Sequence, residues 1–299
     1  MQNWIEEAIR LYKENVPYCK IANIVGVNRK TVSVNLRKLG FKSNEKYVRK
    51  IEPEKFRKYD YSIIESVFEN IDTEEKAYWL GFLYADGYVD DVRHSVSLAL
   101  KEEDKEHVEK FRDFCGLYGK KLHKKIRNIK GKKYVSYELC FQSKKATDDL
   151  IKCGCVNKKT FILNFPSTEI LPEKLSIHFI RGYIDGDGSV THGGKNASSI
   201  TLETIGTDDF LKTYYKKLGF EGKNTYRFNH STVRRAILSG PYAIYALDSL
   251  YKNANIFLPR KYEKYLELRR LALQSPRTAR LLAGKIGKGL TANTEVIAV

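Results

Sequence analysis

The chain repeats itself at long range. Ala77-Tyr78-Trp79-Leu80-Gly81-Phe82-Leu83-Tyr84-Ala85-Asp86-Gly87 has a counterpart in His178-Phe179-Ile180-Arg181-Gly182-Tyr183-Ile184-Asp185-Gly186-Asp187-Gly188, and the two Asp-Gly pairs stand 101 residues apart. Similar patterning follows each pair: a turn (Asp90-Asp91; Gly193-Gly194), then a strand-like run (Ser95–Leu100; Ser198–Ile205). A helical segment comes next (Asp104–Cys115; Asp208–Leu218), then two more strands (Leu122–Arg127 with Tyr134–Phe141; Thr225–Phe228 with Thr232–Leu238). A second helix closes each block (Ala146–Lys152; Ala243–Asn253). A unit this long builds its own core, so the period implies duplicated domains rather than a solenoid. The expected fold class is α+β, with two pseudo-symmetric αββαββα subdomains and a small all-α domain ahead of them.

Each Asp-Gly ends a segment with helical character. Asp72 is placed to cap the first helix, with Glu75 closing a capping box. Gly81 and Ala85 lie four apart on one helical face, as do Gly182 and Gly186, and small residues at that spacing let two helix backbones approach closely. Gly87 and Gly188 supply freedom where helix turns into strand. Packed in parallel through these faces, the helices would bring Asp86 and Asp187 together at their C-terminal ends. Two anions would then meet two negative dipole ends, an arrangement that a divalent cation stabilises. A single Asp-Gly reads as an ordinary helix-closing turn; two at matched places in a repeat read as a site.

The two segments resemble the LAGLIDADG motif of homing endonucleases, with Trp79–Gly87 and Ile180–Gly188 in its nine positions. The resemblance spans about residues 72–265. It implies motif helices packed at a pseudo-two-fold axis and strands forming a saddle over the DNA major groove. It implies that Asp86 and Asp187 bind Mg²⁺, or another divalent cation such as Mn²⁺, at the scissile phosphates, helped by the carbonyls of Ala85 and Gly186. The first motif departs at Tyr84, where the motif name has its first Asp; the second keeps Asp185 there. Phosphodiester hydrolysis also needs an activated water and a positive charge against the transition state. The family carries a lysine near the metal in each subdomain, and the resemblance assigns that role to Lys159 and Lys261, which lie 73 and 74 residues beyond their Asp. Lys158 and Arg260 stand beside them as open alternatives. The implied function is a site-specific double-strand DNA endonuclease, a monomer with internal pseudo-two-fold symmetry that recognises a long duplex target. The alternatives are a non-catalytic DNA-binding transcription regulator and an intron RNA maturase. Proteins of the first kind tend to lose the acidic pair that this chain retains.

Charge points the same way. Lys and Arg number 53 against 36 Asp and Glu, a net charge of +17, which makes nucleic acid the natural partner. No apolar stretch reaches membrane-spanning length, and Glu6 and Glu7 stand where a signal peptide has its apolar run, so the expected location is cytoplasmic. The five cysteines are odd in number and scattered, and Cys153-x-Cys155 lacks zinc spacing; all five read as structural. The sequence has no HExxH, GxSxG, P-loop or dinucleotide fingerprint. The acidic run Glu102-Glu103-Asp104 reads as favourable dipole placement at a helix start.

Residues 1–41 read as a helix-turn-helix domain. Trp4–Glu14 and Tyr18–Val25 form its first helices, Gly26-Val27 its turn, and Asn28–Leu39 its third helix, with Asn28 as N-cap. Asn28, Arg29, Lys30, Ser33, Arg37 and Lys38 are the candidate DNA-binding residues. A basic linker (42–71), the first subdomain (72–168), the second (169–274) and a basic tail (275–299) complete the expected organisation. Within the tail, Arg277–Gly284 has helical character.

Overall fold

Residues Ala77 through Tyr84 are buried without a break, as are Phe179 through Asp185. Helices enclosed in this way have no solvent face and must lie inside a larger body. The protein, seen in a computed structural model, is described over residues 3–14, 16–41, 63–157, 161–192, 200–227, 233–274 and 276–284. It divides into two units, Met1–Asp60 and Tyr61–Val299.

The first unit holds α1 (Asn3–Lys13), α2 (Tyr18–Val25) and α3 (Arg29–Lys38). They close on a small core of Ala8, Leu11, Tyr18, Ile21, Ala22, Val32 and Leu36. Gly26 takes φ +68° at the end of α2, a left-handed conformation that suits glycine. The Asn28 side chain accepts from the Lys30 amide at 2.8 Å and starts α3.

The second unit contains the repeat. Its first copy runs α4 (Glu74–Asp86), β1 (Gly87–Asp90), β2 (Ser95–Lys101), α5 (Lys105–Phe114), β3 (His123–Ile129), β4 (Lys132–Gln142) and α6 (Lys144–Lys152). Its second runs α7 (Ser176–Asp187), β5 (Ser189–His192), β6 (Ile200–Gly206), α8 (Asp208–Lys217), β7 (Tyr226–Arg227), β8 (Arg234–Ser239) and α9 (Pro241–Tyr251). The order is αββαββα twice, as the repeat implied. Each copy has an antiparallel four-stranded sheet, β1-β2-β4-β3 and β5-β6-β8-β7. Burial alternates along the central strands: Val96, Leu98 and Leu100 of β2 face the helices, as do Ile200, Leu202 and Thr204 of β6. The turn at Gly193-Gly194 lies outside the described residues.

Four local features differ from the sequence expectation. Thr73, rather than Asp72, caps α4, its hydroxyl accepting from the Lys76 amide at 3.2 Å; Asp72 instead pairs with the Lys76 ammonium at 2.8 Å. Gly87 and Gly188 have φ of −73° and −71°, so backbone freedom is not what they provide. A Cβ at either would lie 2.6 Å from the carbonyl oxygen of Leu83 or Ile184, so the need is for space. Val67, Phe68 and Ile71, within the stretch read as linker, are buried in the main core. Finally, a 15-residue helix, α10 (Pro259–Leu273), follows α9 and is succeeded by α11 (Pro276–Gly284).

Candidate active site

The two motif helices meet at their glycines. A Cβ on Gly81 would lie 1.9 Å from the Phe179 carbonyl oxygen, and one on Gly182 would lie 1.9 Å from that of Tyr78. Tyr78 and Gly81 stand 101 residues before Phe179 and Gly182, so the two contacts are the same contact seen from each side. Nearer the C-terminal ends, a Cβ on Gly186 would lie 2.3 Å from that of Ala85 and 3.4 Å from Oδ2 of Asp86. The Asp86 carboxylate therefore sits against the last turn of the other helix. Asp86 and Asp187 are both exposed, at the ends of helices that are otherwise buried. Asp86 immediately precedes β1, and Asp187 precedes β5 by one residue, Gly188.

Lys261 completes the second helix end. It lies in the first turn of α10 and is 8% exposed. Its Nζ donates to the carbonyl oxygens of Ile184 at 2.6 Å, Gly186 at 2.9 Å and Gly188 at 2.6 Å, using all three ammonium donors. A cation on the last carbonyls of a helix also offsets the negative dipole end. Burial lowers its pKa to about 8; the charges of Asp185, Asp86 and Asp187 oppose that shift. The adjacent candidate, Arg260, is turned elsewhere, binding Asp104 through Nη2 at 2.8 Å and Nε at 3.2 Å. Asp104 is buried, so this ion pair, rather than dipole placement alone, accounts for the end of the acidic run. Lys158 and Lys159 lie outside the described residues.

Beneath the carboxylates is a buried polar layer that the motif pattern did not reveal. Asp185, 1% exposed, accepts hydrogen bonds from Tyr78 Oη at 2.8 Å, Tyr251 Oη at 2.6 Å and the Leu258 amide at 2.7 Å. Burial raises its pKa, and these donors work against the rise. Arg181 donates to the carbonyls of Ile256 and Leu250 and, at 2.6 Å, to the Glu74 carboxylate. In the first copy Tyr84 replaces the acid, and its hydroxyl donates to the Cys153 carbonyl. Cys153 and Cys155 direct their thiols at the carbonyls of Phe68 and Leu83.

Oxygen donors of this kind fit a hard divalent cation: Mg²⁺ takes one or two carboxylates and completes its shell with water and phosphate oxygens. Asp86 and Asp187 supply the carboxylates at one helix junction. Lys261 uses one of the two lone pairs of the Gly186 carbonyl, leaving the other. Among the described residues no group of three or more His, Cys, Asp or Glu side chains gathers.

The sheets also carry exposed basic and aromatic residues. The β3–β4 hairpin carries Lys124, Lys125, Arg127, Lys130, Lys132 and Lys133 within ten residues. Tyr88, Arg127, Tyr134 and Tyr226 are exposed, and Arg235 of β8 pairs with Glu203 at 3.7 Å. β3, His123–Ile129, is exposed on six of its seven residues rather than alternately. In the first unit, Arg29, Lys30, Arg37 and Lys38 are exposed on α3, while Ser33 is half-buried and Asn28 is engaged as a cap. Among the described residues no helix is long and apolar enough to cross a membrane.

No family model matches the chain, and no curated protein does. Solved structures do resemble it. The homing endonuclease I-WcaI bound to its DNA recognition sequence is 14% identical, covers 77% of this chain and 96% of its own, and gives a TM-score of 0.45. The LAGLIDADG meganuclease I-AabMI bound to uncleaved DNA is 15% identical over 65% and 89%, with a TM-score of 0.38. I-SmaMI bound to an uncleaved DNA target in the presence of calcium ions is 10% identical over 69% and 96%, with a TM-score of 0.40. At these identities and scores the likeness assigns no role to any residue of this chain.

Proposed function

We propose that this chain is a LAGLIDADG homing endonuclease that cuts double-stranded DNA at a specific site by divalent-metal-dependent hydrolysis. One observation carries the reading: two exposed carboxylates, Asp86 and Asp187, terminate helices that touch through Ala85 and Gly186, with a buried lysine against one of those ends. Two carboxylates at adjoining helix ends concentrate negative charge there, which a divalent cation offsets. A divalent cation bound there supplies Lewis acidity to a phosphoryl oxygen and a water of lowered pKa. Asp86 and Asp187 would hold it, with the carbonyls of Ala85 and Gly186 beside them. Lys261 fixes the last turn of α7 and brings positive charge to the edge of the site, where charge accumulates on the phosphate in the transition state. Lys159 is its counterpart by position in the repeat. Each subdomain then serves one strand of the duplex.

The basic β3–β4 hairpin and the +17 net charge suit a bound duplex. In the first unit, Arg29, Lys30, Arg37 and Lys38 of α3 would contact phosphates and base edges, as a recognition helix does. The test is incubation of the full chain with fragmented host-genome or randomised duplex DNA and Mg²⁺, followed by sequencing of the broken ends. The reading requires recurrent double-strand ends at one sequence, suppressed by a chelator. Retention of DNA with no Mg²⁺-dependent ends would make the chain a binding protein instead.

A further inference from the structure

We propose that Asp185 is a positioning residue that holds Lys261 at the end of the second motif helix. The inference rests on the reading of Lys261 as the basic residue of the site. Asp185 does not reach the exposed end of α7; it is buried two residues before it, on the inner side of the helix. Its three donors come from three other places: Tyr78 on α4, Tyr251 at the end of α9, and the amide of Leu258. Leu258 is the N-cap of α10, has no side chain able to cap, and is followed by a first turn without an acidic residue. In a capping box, an acid of the same helix accepts the N-cap amide. Here Asp185 accepts it from another helix.

Three residues beyond Leu258, Lys261 returns the link. Its ammonium donates to Ile184, Gly186 and Gly188 of the helix and helix end that carry Asp185. A buried cation in the first turn of a helix is opposed both by desolvation and by the positive dipole end. The Asp185 carboxylate, set against that same helix start, offsets both. The two links together fix how far α10 is advanced and rotated against α7, and that register decides whether residue 261 or residue 260 faces the site. In the first copy Tyr84, at the position matching Asp185, donates instead to the Cys153 carbonyl.

The test measures Lys261 directly in the free, full-length protein. An amine-acylating reagent is applied at constant pH, and peptide mass spectrometry follows modification of Lys261 against exposed Lys212. Loss of a buried charged hydrogen-bond acceptor should raise the Lys261 rate in Asp185→Asn by about tenfold or more, with Lys212 unchanged. Cooperative thermal unfolding shows that the variant is folded. A folded Asp185→Asn in which Lys261 stays as protected as in the wild type overturns the proposal. If Asp185→Asn does not unfold cooperatively, Tyr251→Phe, which removes one of the three donors, decides: a smaller but clear rise supports the proposal and no rise overturns it. The same variants are assayed for single-turnover cleavage of the recovered target. Exposure of Lys261 with slowed cleavage at unchanged DNA affinity supports both the positioning role and the site. Exposure of Lys261 with unchanged cleavage supports the positioning role and removes Lys261 from the chemistry.

Discussion

Lys261 carries an ammonium into surroundings that disfavour charge, and three backbone carbonyls are its compensation. The consequence for stability has a definite sign. Its pKa is about 8 in the folded chain against 10.5 ordinarily. Below pH 8 both folded and unfolded chains hold the proton, and the burial penalty is fully present. Between about pH 8 and 10.5 the unfolded chain binds more protons, so this group favours the native state increasingly as pH rises. Urea unfolding of the wild type and Lys261→Met should therefore show the difference moving toward the wild type from pH 8 to pH 10, other groups cancelling. A difference that stays flat or moves the other way contradicts the burial described. In the chemistry, Lys261→Ala and Lys159→Ala should each slow single-turnover cleavage by about 10²-fold or more, with far smaller changes in binding. Arg260→Ala should instead lower stability, because it strips the partner from buried Asp104. A larger loss of cleavage from Arg260→Ala than from Lys261→Ala would transfer the role.

The contact between α4 and α7 combines backbone and side-chain limits, and substitutions separate the two. Gly81→Ala and Gly182→Ala drive a methyl into a carbonyl oxygen of the facing helix, so the helices must separate, at a cost of about 1–3 kcal/mol or more. Gly186→Ala meets the Cβ of Ala85, which can be removed. Gly186→Ala combined with Ala85→Gly should be more stable in urea than the sum of the single changes allows. Additive losses would mean that these helix ends do not touch. This pairing of small residues was legible in the sequence because i,i+4 spacing is local and the 101-residue period displays it twice. The partners of Asp185 were not, since Tyr78 lies 107 residues away and Leu258 lies 73 residues away; only tertiary folding unites them. The choice between Arg260 and Lys261 was hidden for a related reason. It depends on the rotation of α10, which begins at Pro259 and left no separate signal behind the α9 pattern. Both strands of the β3–β4 hairpin were legible in the sequence, but the exposure of β3 on nearly every residue was not, because it depends on what the folded sheet leaves uncovered.

At the scale of the molecule, the division into Met1–Asp60 and Tyr61–Val299 separates a small helical body from the duplicated one that holds Asp86, Asp187 and Lys261. The second unit alone, from about residue 60, should fold and keep Mg²⁺-dependent cleavage of the central target. It should lose affinity with the exposed Arg29, Lys30, Arg37 and Lys38, each lost phosphate contact lowering the salt slope by about one unit. The full chain should protect a longer stretch of DNA on one flank; equal footprints and equal salt slopes would show that residues 1–60 do not touch DNA. Whether the junction of the two motif helices is the catalytic centre is decided most directly by cleavage with Asp86→Asn/Asp187→Asn. With Mg²⁺ and the recovered target, this double variant should bind the duplex as the wild type does and leave both strands intact. Cleavage at the wild-type rate would place the chemistry elsewhere in the molecule.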